Sequence, residues 1–239
     1  GLFGQREASV TFARRILEGN QDFTGTYFGY EPNADGEDVR NQEFGESSKI
    51  ARAHDGAGRF LPYWYRDQQV SSRILLTPLV DMETSLYYQG TRELYYQKGD
   101  GHSMVTEPYV YEGKMIVEQV HPIIIDGQFR GIAGVDRALT DIASFVQAIK
   151  ERAGIDIFLI SRSGRFISST TPEGPDLITK DVTATMYEGL FGPFLSDRTE
   201  TFFELSIDPA NGATHYYATA PVQTGTWTVV VRKLESDVA

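Results

Sequence analysis

Two periods of apolar residues run through the chain. In QREASVTFARRILE (5–18), Ala8, Phe12 and Ile16 recur every four residues, the stripe of an amphipathic helix, and Gly19-Asn20 stops it. The next segment, 23–30, is rich in aromatic residues and threonine and predicts a strand, which runs into the turn-forming stretch EPNADG (31–36). Strands are expected at 59–65 and 73–76. Residues 80–98 are polar and tyrosine-rich and read as a short helix or a covering loop. Three further strands are expected at 109–111, 114–125 and 129–136, the last two joined by Asp126-Gly127, a hairpin signal. A second helix is predicted over 140–153, with a stripe of Leu139, Ile142, Ala143, Val146 and Ile149 and Gly154 as its cap.

Beyond Gly154 the pattern restarts. Strands are expected at 155–161, 166–169, 201–207, 215–221 and 226–232, with a Pro/Gly/Asp-rich stretch at 172–181 and a turn at Asn211-Gly212. VHPIIIDGQFRGIAGVD (120–136) and ATAPVQTGTWTVVVR (218–232) share an order of apolar strand, proline, turn, glycine and apolar strand. Two antiparallel sheet modules joined by the 140–153 helix account for this echo better than one sheet.

Charge and composition narrow the partners. The 22 Lys and Arg against 33 Asp and Glu give a formal charge of −11 with no dense basic patch, so nucleic acid is not an expected partner. No apolar run reaches the ~20 residues that span a bilayer. The chain has no cysteine, which excludes disulfides, a thiol nucleophile and thiolate metal sites. Its four histidines are too widely spaced for the usual ligand motifs, and the loop at 31–42 has Glu where a calcium loop starts and Gln42 where it needs a bidentate carboxylate. Neither a metal nor a cofactor is expected.

Tyrosine clustering is the clearest chemical feature. Eight of the 13 tyrosines lie between Tyr63 and Tyr111, with Trp64 among them. A phenol combines an apolar face with a polar tip, which suits a pocket for a small polar organic molecule; aromatic packing on a sheet is the alternative. Asp136 ends a nearly apolar strand, where a carboxylate is costly unless it is solvated or paired. A ligand ammonium would pair it; the alternative is an anion placed before the 140–153 helix. No nucleophile elbow, phosphate loop, dinucleotide fingerprint or metal triad is present, so this stretch is not expected to be an enzyme.

GRFLPYWYRD (58–67), TPLVD (77–81), ELYYQ (93–97), EPYVY (107–111) and PIIIDGQFRGIAGVD (122–136) occur in an order that resembles the double Cache family, the extracytoplasmic sensor domains of bacterial chemoreceptors, sensor histidine kinases and related receptors. The resemblance covers roughly residues 5–232. It implies an α+β fold: a long N-terminal helix (1–22), then two stacked PAS-like modules with antiparallel sheets, a membrane-distal ligand-binding module (23–153) and a membrane-proximal one (154–239). It also implies a periplasmic location, flanking transmembrane helices absent from this fragment, a homodimer in the full-length receptor, and a small-molecule ligand such as an amine, an amino acid or a carboxylate. Matched to the family's ligand pattern, Tyr95, Tyr96, Tyr109 and Asp136 take binding positions. Glu93 stands where a carboxylate-binding arginine would be, with Arg92 adjacent, and Tyr111 stands where a second aspartate would be. Trp64 and Arg59 complete the candidate set. A soluble small-molecule or carbohydrate-binding module without a signalling role, or a hydrolase, is the alternative function.

Overall fold

The computed structural model describes the chain apart from residues 45–46, 68, 71–72, 100, 112–113, 199–200, 223 and 239. The contacts group it into two compact units, Gly1–Thr106 with Val117–Ala138, and Glu107–Ile116 with Leu139–Ala239. No helix among the described residues is long and apolar enough to cross a membrane.

The first unit opens with helix α1 (Arg6–Gly19) and strand β1 (Phe23–Tyr30). Helix α2 (Asp38–Phe44), strands β2 (Pro62–Arg66) and β3 (Ile74–Pro78), helix α3 (Leu86–Lys98) and the short β4 (Met104–Val105) follow. After β5 (Tyr109–Tyr111), the long strands β6 (Lys114–Ile125) and β7 (Gln128–Ala138) close the sheet in the order β3-β2-β1-β7-β6-β4, with β5 pairing to the start of β6. Asp126 and Gly127 both take positive φ, 51° and 70°, the conformation that a two-residue hairpin turn needs.

Strand alternation gives this sheet two faces. On β1, Thr26, Phe28 and Tyr30 face α1, where the Thr26 hydroxyl donates to the Ala13 carbonyl at 2.8 Å and Tyr30 packs with Val10 and Phe60. Gly25, Tyr27 and Gly29 face the other way, where Tyr27 joins Leu61, Met82, Tyr88, Val120, Phe129 and Ile132 beneath α3. The helix predicted at 5–18 forms, but it buries Val10, Ala13 and Leu17 and leaves Phe12 46% exposed. Arg6 decides that rotation. Its guanidinium is buried on Asp35 (2.6 Å), Asp38 (2.5 Å) and the Gly58 carbonyl (2.8 Å), which turns the Ala8–Phe12–Ile16 stripe outward.

In the second unit, helix α4 (Leu139–Ala153) ends at Gly154, whose φ is +65° and whose amide donates to the Lys150 carbonyl. Strands β8 (Asp156–Ile160), β9 (Phe166–Ser169), β10 (Phe203–Ile207), β11 (Thr214–Val222) and β12 (Trp227–Leu234) form a sheet in the order β10-β11-β12-β8-β9. Helices α5 (Gly174–Leu177) and α6 (Glu188–Ser196) lie in the connection before β10. Helix α6 contains Gly189, Gly192 and Pro193, which disfavour a helix locally, and nothing in the sequence pattern predicts it. Packing sustains it: Phe191 stacks on Tyr187 at 4.7 Å and meets Phe158 edge-on at 5.1 Å. At the end of β12 the Arg232 side chain is 2% exposed and contacts Asp208, Glu173 (3.1 Å), Asp156 (3.0 Å) and the Tyr187 hydroxyl (3.0 Å).

Candidate functional site

Directly paired residues of antiparallel strands share a face. β1 lies between β2 and β7, with Gly25 opposite both Tyr65 and Asp136 and Tyr27 opposite both Tyr63 and Gly134. One face therefore carries Tyr63 and Tyr65 from β2, Tyr27 from β1 and Asp136 from β7, all turned toward α3. By the same alternation Glu118 of β6 shares the face of Val120, which belongs to the core beneath α3. Two acids thus sit on the inner side of a sheet whose other inward residues are mostly apolar or aromatic.

Asp136 is 3% exposed. Its Oδ2 accepts a hydrogen bond from the Tyr63 hydroxyl at 2.7 Å, and its Oδ1, also buried, has no hydrogen-bond partner among the described residues. Burial pushes the carboxyl up to about 6, with the Tyr63 hydrogen bond acting in the opposite direction. The phenols enclose it. Tyr63 stacks on Tyr65 at 5.6 Å and meets Tyr27 edge-on at 6.0 Å, and Tyr27 meets Tyr87 of α3 at 5.6 Å. Burial raises the Tyr87 hydroxyl, and the charges of Glu118, Asp136 and Asp81 raise it further.

Two glycines make room for these rings. A Cβ on Gly25 would stand 2.5 Å from the Tyr63 ring and 2.7 Å from Asp136 Oδ2, and one on Gly134 would stand 2.3 Å from the Tyr27 ring. Tyr27 is 2% exposed and hemmed in by Tyr63 and Tyr87, so it has nowhere to yield. Gly134→Ala is accordingly expected to cost about 1–3 kcal/mol, the usual penalty for overpacking a filled core. Urea unfolding of the variant measures it, and an unchanged midpoint would show that the ring is free to move.

The other residues expected from the sequence are distributed elsewhere. Tyr95 donates to the Gly127 carbonyl at 2.7 Å, and its ring lies 5.6 Å from Phe129. Phe129 and Asp136 are seven positions apart on β7, roughly 23 Å along an extended strand. Tyr96 is 66% exposed and lies beneath the Arg92 guanidinium. Arg92 also approaches Glu31 at 4.0 Å, the same carboxylate that accepts from the buried Tyr88 hydroxyl. Arg59 is buried on the Tyr30 carbonyl (2.5 Å) and Glu83 (2.6 Å), over the Tyr88 ring. Glu93 is exposed. Trp64 faces α1, where its indole donates to the Val10 carbonyl at 2.8 Å and Arg14 covers the ring. Tyr109 groups with the second unit, and the side chain of Tyr111 lies outside the described residues.

Among the described side chains of the candidate set, then, Asp136 alone sits in the phenol cluster beside Tyr63. Around it stand Tyr27, Gly25, Gly134 and Glu118, which the sequence pattern does not single out, and Tyr63 and Tyr87, which it marks only as members of the tyrosine cluster. The signal for Gly25, Tyr27 and Tyr63 lies in the odd-numbered positions of FTGTYFGY (23–30) and PYWYR (62–66), but it becomes readable only when β1 is known to pair with both β2 and β7. Among the described residues no group of three or more His, Asp or Glu is arranged to hold a metal ion. In the 31–42 loop the Asp35 and Asp38 carboxylates are engaged by Arg6.

No family profile matches the chain, and no curated protein matches it. Solved structures do. The extracellular domain of a protein assigned as a histidine kinase, mmHK1S-Z2, is 30% identical with a TM-score of 0.75, over 97% of this chain and 82% of that one. That of mmHK1S-Z3 is 29% identical with a TM-score of 0.75, over 98% and 81%. The ligand-binding domain of the amino acid chemoreceptor PctC of Pseudomonas aeruginosa PAO1, in complex with GABA, shares the fold at 18% identity and a TM-score of 0.51, over 92% and 76%.

Proposed function

Since the chain belongs to the double Cache family of extracytoplasmic sensor domains of histidine kinases and chemoreceptors, we propose that its first unit binds a small organic molecule between α3 and the sheet, with Asp136 as the polar anchor. The observation that carries this reading is the buried Oδ1 of Asp136, without a hydrogen-bond partner among the described residues, on a carboxyl whose other oxygen is held by Tyr63, itself part of a cluster of phenols. Leaving a polar atom unsatisfied in a core costs about 1–3 kcal/mol, and proteins retain such atoms where a partner arrives from outside. Tyr63 orients the carboxyl through Oδ2 and leaves Oδ1 for the ligand, while the phenol faces supply contact area.

The same placement suits signalling. Asp136 lies two residues before the end of β7, and β7 runs directly into α4, which packs on β8 and β9. A ligand that draws Asp136 toward α3 would move the end of β7 and with it the start of α4. By linkage it biases the receptor only as far as it binds the two arrangements with different affinity. In this reading the chain performs no chemical step, and the output belongs to the rest of the receptor.

A thermal-shift screen of amines, amino acids, carboxylates and purines tests the proposal, because a ligand specific to the folded state raises the melting midpoint by mass action. At least one compound should raise it, and Asp136→Ala should remove that shift. For a ligand that carries an ammonium, the expected loss in binding is about 2–5 kcal/mol for Asp136→Ala, as for one partner of a buried charged pair, and about 0.5–1.5 kcal/mol for Tyr63→Phe. An Asp136→Ala domain that binds as tightly as the parent would make Asp136 a structural residue. Catalytic turnover of a screened compound would favour the hydrolase alternative.

A further inference from the structure

We propose that the outer face of the second sheet holds an apolar monoanion, an aliphatic or aryl carboxylate, with its chain along β10–β12 and its head group on Lys233. The site lies wholly in the second unit and does not depend on the reading of Asp136.

The register of β10–β12 sorts their residues onto two faces. Glu204, Tyr217 and Arg232 stand side by side on one, and Tyr217 and Val230 on that face belong to the buried core. Phe203, Ala218 and Val231 form one row of the other face, and Leu205, Tyr216 and Lys233 form the next. A sheet with its core on one side ordinarily turns polar residues to the other. Here the outward positions are mostly apolar or aromatic, and they lose their cover toward the free edge at β10. Val231 and Tyr216 are half-buried, while Phe203 is 73% and Ile207 69% exposed. The Phe203 ring stacks on Tyr216 at 5.6 Å. With Ile155, Ala218, Val231 and Val238 these rings border a groove of about 510 Å³, the size of an ordinary small-molecule site.

One charge stands in this groove. Lys233 is the only charged residue among the outward positions of β10–β12, and among the described residues it has no ion-pair partner. Its neighbour Arg232 is engaged on the opposite face by Asp156, Glu173 and Asp208. The acids next in sequence, Glu235 and Asp237, are exposed and do not line the groove. An unpaired lysine over an apolar floor sets the sign of the guest. Its ammonium matches one negative charge, and Phe203, Val231 and Val238 give an apolar chain contact area. A phosphate dianion would find no second free cation in the lining. An anionic bilayer is the poorer occupant, because the chain's formal charge of −11 repels it and one lysine does not outweigh that repulsion.

NMR titration of the isotope-labelled chain with octanoate, octanol and octylammonium, each below its aggregation limit, tests the site. Octanoate should shift the amides of β10, β11 and the end of β12. It should bind about five- to twentyfold more tightly than octanol, as for a charge pair partly out of water, and more tightly than octylammonium, although the net charge of the chain favours the cation. Lys233→Gln should reduce octanoate to the affinity of octanol, Lys233→Arg should retain it, and Phe203→Ser should weaken both compounds. Lys233 and Phe203 lie at the surface, so melting midpoints of these variants should stay near that of the parent. No binding of octanoate, an affinity no higher than that of octanol or octylammonium, or full retention in Lys233→Gln overturns the inference. Two further results overturn it by giving the face another occupant. One is a dimer in sedimentation that Leu205→Lys dissociates and octanoate does not. The other is binding to phosphatidylglycerol vesicles that Lys233→Gln abolishes, without binding of monomeric octanoate.

Discussion

Arg232→Ala is expected to destabilise the second unit by about 3–5 kcal/mol, because it strips the cation from a buried cluster of acids. Asp208 is 0% exposed, and Glu173 and Asp156 are mostly buried. Burial pushes Asp208 up, but the Tyr217 hydroxyl at 2.5 Å and the Arg232 charge outweigh it and hold the carboxyl below the usual range. Without Arg232, Asp208 keeps its hydrogen bonds from Tyr217 and from the Ala210 and Asn211 amides but loses its counter-charge. The sign of the pH effect follows from that depressed carboxyl. Its stabilising contribution is present above the ordinary aspartate range and is lost as pH falls through the lowered native value. Thermal melts of the variant should therefore drop most at neutral pH, by about 10–20 °C for a loss of this size. Asp208→Asn in the Arg232→Ala background should recover part of the loss, since it removes the charge of the most deeply buried of the three acids, although its amide can replace only one of the two accepting oxygens. A loss of less than about 1 kcal/mol, or strict additivity in the double variant, would mean that the cluster is solvated.

The opposite sign is expected at Asp136. Its native titration near 6 lies above the ordinary value of 3.8. A raised carboxyl contributes stability that is fully present below the ordinary value and is lost as pH rises through the native one. A displacement of roughly two units corresponds to about 3 kcal/mol at pH 8, at 1.36 kcal/mol per unit. Asp136→Asn should therefore stabilise the empty first unit at pH 8, because asparagine keeps an acceptor for Tyr63 and places no charge in the core. The gain should vanish by pH 4, where the aspartate of the parent is itself protonated. Melting curves of both proteins at pH 4 and pH 8 decide this, and an equal or lower midpoint for Asp136→Asn at pH 8 would show that the carboxylate is not desolvated. Greater stability of the variant together with loss of ligand binding would mark Asp136 as a position where stability is given up for function.

Several features of the fold and of the candidate site follow from local sequence alone. The strand runs, the Asp126-Gly127 hairpin and the Gly154 cap are short-range properties: backbone conformations that a few adjacent residues favour on their own. Asp136 is legible for the same reason, as a charge at the end of an apolar run. The double repeat of sheet modules could be read from the order of these local signals.

Other features depended on contacts between residues far apart in the chain. The stripe Ala8–Phe12–Ile16 predicts a helix but points it the wrong way, because the ion pairs of Arg6 with Asp35 and Asp38 set the rotation of α1. Residues 80–98 read as a short helix or a loop, yet α3 is a 13-residue helix, held by Tyr88 and Thr91 against the sheet despite its central Gly90. Helix α6 exists because aromatic neighbours bury Phe191 and Phe194. The tyrosines that matter beside Asp136 could not be chosen from their number or spacing. An alternating strand tells which residues share a face, but not which strand lies next to it. The insertion of β1 between β2 and β7 brings the Tyr63 hydroxyl to Asp136 across 73 positions of chain, and that pairing is a property of the folded sheet.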